Sequence, residues 1–331
     1  MSTKKCLDRD LLRQLLKGES LETFDVRAHV FAQVEKDFQL IGCKNQKRRY
    51  AFEQDQWVYD NFHSANEILI KTAIGRKWAD FFDYDYDAAL VSNLIYQKIF
   101  LPGGAIEPLG CKEKYSYMIT YNGYRYRGDT MNSWASALHE FVRIMGEDLV
   151  KGWNGRNIPA GYGTWEHVLS EPENYKKEFP FYITEFLKVV YTMGNFIPVP
   201  LTPSFNIRRS RLCHDYWDLT LLEIYRYYNG LEGSSDGWKS LLSQEGVKYW
   251  LDSFGSWPGF VERNYMQAFV DTNFGSPLPL WTGHFEGRQQ LQNKKNEEGK
   301  TDFEEFFVNA THRIKERSKA MGSKLKEEGW L

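Results

Sequence analysis

Apolar positions recur at spacings of three and four along most of the second half of the chain, a period that predicts helices. Residues 133–150, SWASALHEFVRIMGEDLV, put Trp134, Leu138, Phe141, Met145 and Leu149 on one face, behind Thr130, Asn132 and Ser133, which suit a helix start. Residues 180–193 place Phe181, Phe186, Leu187 and Val190 alike, and Gly194-Asn195 supplies a left-handed stop. Trp217, Leu221, Ile224, Tyr225 and Tyr228 share the next face, closed by Asn229-Gly230. Residues 236–254 read as helix interrupted at Gly246, and Ser256 with Pro258 reads as the cap and first turn of a helix over 257–271. Residues 302–322 turn Phe303, Phe306, Phe307, Ala310 and Ile314 inward, after a polar stretch, 286–301, that reads as an exposed linker.

The first half alternates between periods. Residues 7–16, 64–82 and 88–100 fit short helices. In YSYMITYNGYRYRGDT the period drops to two through Tyr115, Tyr117, Ile119 and Tyr121, and Asn122-Gly123 is a hairpin turn signal, with Tyr124 and Tyr126 on the return. The fold class expected is mostly α with a small β-hairpin (α+β), a compact multi-helix globule. One domain over 1–331 with a peripheral C-terminal helix fits best. Two lobes meeting near 150–165, where KGWNGRNIPAGYGTW is rich in glycine, is the alternative.

Composition narrows the function classes. The chain has 331 residues, 42% hydrophobic and 26% charged, enough for a buried core. A net charge of -2 gives no global attraction to nucleic acid or anionic membrane. No apolar run reaches the roughly 18 residues of a membrane span. Cys6, Cys43, Cys111 and Cys213 are far apart, which fits reduced thiols in a cytoplasmic protein. Aromatic residues make up 16%; they pack cores, and they also line clefts that stack a base or a sugar.

The densest chemistry is FNIRRSRLCHDYWDLTLLEIYRYY, residues 205–228. Arg208, Arg209 and Arg211 precede a helix expected to start at His214 or Asp215. Guanidinium groups beside the unpaired N–H groups of a helix start suit a phosphate or carboxylate. Asn195 and Asn206 can orient such an anion, His214 or Asp215 is the candidate acid–base, and Tyr124, Tyr126 and Trp134 can form an aromatic wall. A purely structural reading is equally physical: Asp215 caps the helix, Asp218 complements its dipole, and both pair with the arginines. RGDTMNSW (127–134) lacks a nucleophile elbow and reads as a cap. FDYDYD (82–87) starts like a calcium loop, but Ala88 stands where glycine is required and Leu94 where glutamate is. The histidines form no zinc-type pair, so no metal site and no cofactor are expected. KNQKRR (44–49), with Tyr50, Phe52 and Trp57 nearby, keeps a nucleic-acid contact open.

The order of motifs in the second half resembles an uncharacterised family of bacterial cytoplasmic proteins. In that family an Asn–Arg loop (Asn206, Arg209) leads to an Asp–Leu–Thr–Leu helix (Asp218 to Leu221) ending in Tyr227-Tyr228. A Gly–Phe–Val segment (Gly259 to Val261) follows, then a terminal helix holding Phe307 and Arg317. YTMGNFIPVP (191–200) resembles its strand-like approach. The resemblance covers about the last half of the chain and implies a shared fold without an assigned chemistry.

Two functions are thereby expected. The first is binding or turnover of a phosphorylated or nucleotide-like ligand at the arginine-rich loop. The second is a non-catalytic protein or nucleic-acid interaction, as in a bacterial or phage conflict system, with the aromatic surface and C-terminal helix as the docking face. Neither involves a membrane, and no pattern specifies an oligomeric state.

Overall fold

A computed structural model describes residues 3–27, 29–30, 86–109, 116–133, 137, 180–213, 216–285 and 297–331. The chain is mostly helical with a small antiparallel sheet. The described helices are α1 (Thr3–Leu16), α2 (Leu90–Ile99), α3 (Phe181–Val189), α4 (Phe205–Cys213) and α5 (Trp217–Asn229), followed by α6 (Asp236–Leu242), α7 (Glu245–Asp252), α8 (Trp257–Arg263) and α9 (Glu297–Glu327). The strands are β1 (Ala105–Pro108), β2 (Tyr117–Tyr121), β3 (Tyr124–Thr130) and β4 (Phe196–Pro200), in the spatial order β1-β2-β3-β4.

The hairpin forms where the alternation and the Asn-Gly pair put it. Tyr121 faces Tyr124 and Ile119 faces Tyr126, with Asn122 and Gly123 both at positive φ. β4 extends the sheet on the far side of β3, pairing Tyr126 with Pro200 and Thr130 with Phe196. All five β4 residues are buried. Its two prolines argue against a central strand, and β4 indeed pairs on one edge only.

Helix ends follow local rules with two exceptions. Gly230 closes α5 at φ 62, and Ser256 caps α8 by accepting from the Gly259 N–H. The break between α6 and α7 falls at Ser243–Gln244, just ahead of Gly246. Gly194 is no left-handed stop: it lies in a 3-10 turn, Met193–Asn195, and its absent side chain lets α9 approach. A Cβ there would lie 2.1 Å from the Ile314 carbonyl oxygen. The terminal helix is also longer than its apolar stripe indicated, 31 residues from Glu297. It is core rather than periphery: Phe303, Phe306, Phe307, Ala310, Ile314 and Met321 are all buried.

Two aromatic clusters fill the interior. Phe205, Trp217, Trp250, Phe254, Trp257 and Phe260 interlock with centroids 5.1–6.4 Å apart. Phe186, Tyr216, Trp281, Phe303, Phe306 and Phe307 form the other around α9. Edge-on and offset pairs dominate, as the ring quadrupole favours. The helices expected over 64–82 and 133–150, the Gly-rich stretch 151–165, the basic run 44–49 and most of 286–301 lie outside the described residues.

Candidate functional site

The arginine cluster divides between interior and surface. Its backbone is helix α4 rather than a loop, and α5 begins at Trp217, after Tyr216, rather than at His214 or Asp215. Arg209 is 0% exposed. Its Nε donates to Asp129 Oδ2 at 2.6 Å and one Nη donates to the Thr130 carbonyl at 3.1 Å. The Trp217 indole N–H donates to the same carboxylate oxygen at 3.0 Å, and the guanidinium lies 5.2 Å from the Trp217 ring centroid. Arg208 and Arg211 are exposed. Neither makes an ion pair among the described residues.

Asn195 is fully buried, and both ends of its amide are engaged. Its Nδ2 donates to the carbonyls of Asn132 and Val190, and its Oδ1 accepts from Asn132 N and Nδ2. It ties the end of β3 to the turn before β4. Asn206 is half-buried on α4. Asp218 sits in the first turn of α5 and accepts from the Leu219 and Leu280 N–H groups, and its charge also acts on Arg313 of α9. His214, Asp215 and Trp134 lie outside the described residues. Asn195 and Arg209 are therefore joined through β3 as structural polar groups, while Arg208 and Arg211 face solvent.

Tyr126 leads to a different place. By the strand period, paired and alternate residues share a face. Ile119, Tyr121, Tyr124, Tyr126, Pro198 and Pro200 lie on one side of the sheet, and Asp129 on the other. Against the tyrosine side, α7, the end of α8, the end of α2 and Lys324 of α9 enclose a cleft of about 550 Å³. That is within the range of small-molecule sites. Its rings are Phe100, Tyr121, Tyr126, Tyr249, Trp250, Phe254 and Tyr265. Tyr124 stacks on Tyr249 with centroids 4.1 Å apart and planes at 19°, and its hydroxyl donates to Glu245 at 3.2 Å. That stack braces one wall.

Tyr126 is 2% exposed, yet its hydroxyl has no hydrogen-bond partner among the described residues. Burial first, then the neighbouring phenols of Tyr249, Tyr121 and Tyr124, push its pKa well above the ordinary phenol range. Burial and Glu328 push Tyr265 up to about 12. Both phenols are therefore neutral hydrogen-bond donors at pH 7. Two cations border the same space. The Arg263 Nη1 donates to the Ser253 carbonyl at 2.9 Å and its guanidinium lies 5.7 Å from the Phe254 centroid, leaving its other N–H groups for solvent or ligand. Lys324 pairs with Glu328 at 3.1 Å.

Tyr265 shares with Phe274 a φ of 57°, a left-handed conformation that costs a bulky residue about 1–3 kcal/mol; of the two, Tyr265 lines the cleft. A second cavity, of about 680 Å³, lies between α1 with its following turn and the end of α9. It has no aromatic lining, and its charged side chains, Arg13, Glu19, Glu22, Lys319 and Lys326, are all exposed. Neither cavity is lined by the α4 arginines. Among the described residues no group of three or more His, Cys, Asp or Glu side chains could hold a metal ion. No described helix is long and apolar enough to cross a membrane.

Residues 164–321 match DUF6994, a family of unknown function. The C-terminal half thus has the uncharacterised relatives that its motif order implied. The matched segment includes the wall of the cleft from Pro198 to Tyr265, while Phe100, Tyr121, Tyr126 and Lys324 lie outside it. Searches of curated proteins and of solved structures returned no match.

Sequence reasoning named Tyr124 and Tyr126 from their alternation but missed Tyr249, Arg263 and Tyr265. Tyr249 carried a usable signal. It falls off the buried stripe of Val247, Trp250 and Leu251 in α7, and a large ring off the stripe needs another neighbour. Tyr265 carried none, because a left-handed tyrosine leaves no glycine to mark the turn.

Proposed function

We propose that the chain binds a phosphorylated or nucleotide-like small molecule, and that the ligand sits in the aromatic cleft rather than beside α4. The observation that carries this reading is the phenol of Tyr126, which lines the cleft wall and bonds no described residue. A ligand acceptor there would take up its hydrogen bond in place of solvent. The tyrosine and phenylalanine rings offer faces for a flat ring. Arg263, held by Ser253 and Phe254, offers its remaining N–H groups to an anionic group. The reading is of a cytoplasmic binding protein; the four scattered cysteines and the bacterial character of the family resembled in its second half support that setting.

A thermal-shift series with AMP, GMP, CMP and UMP, alongside inorganic phosphate and adenosine, tests it. A ligand at 100 times its Kd stabilises the native state by about 2.7 kcal/mol. At least one monophosphate should raise Tm, and Tyr126→Phe, by weakening binding about ten-fold, should cut the stabilisation to about 1.4 kcal/mol while leaving the unliganded Tm nearly unchanged. No shift with any of the four, or an undiminished shift in Tyr126→Phe, would refute the reading.

The second reading, a macromolecular docking face, draws on α4. Ile207 and Leu212 are 47% and 37% exposed there beside the exposed Arg208 and Arg211. The C-terminal helix buries most of its apolar side in the core, and Val308 is 51% exposed on it.

A further inference from the structure

We infer that Tyr265 is a ligand-contacting residue, which selects flat rings in the aromatic cleft and is kept in an unfavourable backbone conformation for that purpose. This rests on the reading of the cleft as a ligand site. Tyr265 follows the last turn of α8, where the chain turns left-handed at φ 57°. Glycine or asparagine ordinarily fills such a position, because neither meets the steric penalty of a bulky side chain. The turn does not need the tyrosine ring. It is closed by backbone bonds, from Tyr265 N to the Glu262 carbonyl at 3.2 Å and from Met266 N to the Val261 carbonyl at 2.8 Å. The Asn264 amide adds a bond to the Phe260 carbonyl at 2.9 Å.

Core packing accounts for only part of the ring, which rests against the core with its other side on the cleft. Tyr265 is half-buried, with one ring neighbour, Phe100, edge-on at 5.7 Å. Its hydroxyl makes no hydrogen bond among the described residues, and both it and Phe100 line the cleft.

What holds this wall is Arg317. Its side chain is wholly buried and pairs with no carboxylate among the described residues. It donates instead to four carbonyls, Asn264 at 2.9 Å, Gly194 at 2.9 Å, Phe196 at 2.7 Å and, at 3.5 Å, Met193. Its guanidinium also lies 5.7 Å from the Phe100 ring centroid. One buried cation thus fixes the residue before Tyr265 and the ring beside it. A strained residue persists only where its surroundings over-determine it, and such residues cluster at ligand sites. Here the surroundings that fix the strain also form the cleft.

Calorimetric titration of Tyr265→Asn and Tyr265→Phe decides the matter, using whichever of the four nucleoside monophosphates most stabilises the unsubstituted protein. Asparagine accepts the left-handed turn without the ring, so Tm should hold or rise while affinity falls at least ten-fold. Tyr265→Phe should stay within three-fold of the parent, because the ring is the contact. Parental affinity in Tyr265→Asn would overturn the inference, as would a Tm loss large enough to show that the ring is core. If Tyr126→Phe binds poorly while Tyr265→Asn binds normally, only the role of Tyr265 is wrong. If both bind normally, or the parent binds none of the four, the ligand reading of the cleft is wrong as well.

Discussion

The two faces of β3 handle buried polar groups in opposite ways. On one face Asp129 receives Arg209 Nε and the Trp217 indole N–H on a single oxygen, and Arg209 is wholly buried. Three residues further back, on the other face, Tyr126 is nearly as buried and its hydroxyl has no partner among the described residues. A buried ion pair held by several hydrogen bonds fixes a fold, because most of its desolvation is offset inside the protein. A hydroxyl that opens onto a cavity and bonds no described residue is left available to something bound. The arginines that dominate the sequence thus contribute one structural anchor, and the less conspicuous tyrosines form the opening.

The largest effect should come from breaking the ion-paired face. Arg209→Ala leaves Asp129 buried without its cation, which costs about 3–5 kcal/mol; urea unfolding should show a fall of that size, with the cleft's affinity unchanged in whatever fraction remains folded. The opposite face should separate binding from stability. Tyr126→Phe removes a hydroxyl that opens to the cleft and should change stability by no more than about 0.5 kcal/mol, while ligand affinity drops about ten-fold.

A pH series separates both faces from a third region. His29 packs its ring near Phe24 at 5.6 Å, and burial, then Lys17, holds its pKa below the ordinary 6.5. A lowered folded pKa means that the unfolded chain binds the proton first as pH falls. The stability this group contributes is therefore present above about pH 6.5 and is lost as pH falls through the folded pKa. Unfolding midpoints should decline in that window for the parent and less so for His29→Gln. The phenols of Tyr126 and Tyr265 stay neutral there, so a change in monophosphate affinity in that window should report the ligand's own phosphate, whose second pKa is about 6, and should be the same in His29→Gln.

The smallest effect belongs to the exposed arginines. Arg208→Ala and Arg211→Ala should each change stability by no more than about 0.5 kcal/mol and leave cleft binding untouched. A measurable loss of affinity in either would move the site toward α4 and undo the contrast between the faces.

Much of the fold was legible because it follows from local rules. The Asn122-Gly123 hairpin, the Gly230 stop, the Ser256 cap and the stripe of α9 each rest on residues a few positions apart. The site was less legible because its parts are brought together by tertiary packing. Arg209 and Asp129 are 80 positions apart, and nothing local marks one arginine in a run of three as the buried one. Gly194 looked like a helix stop because its real constraint, the Ile314 carbonyl, arrives from α9. Tyr121 and Tyr126 were visible as an alternating pair, but the wall facing them comes from α7 and α8, more than a hundred residues later.

A crystal structure of the chain soaked with the most stabilising nucleoside monophosphate tests the central claim most directly. The account predicts density for a flat ring in the cleft, with a ligand acceptor within hydrogen-bond distance of the Tyr126 hydroxyl and the anionic group toward Arg263. Ligand density against Arg208 and Arg211, or a cleft holding nothing but water at saturating ligand, would contradict it.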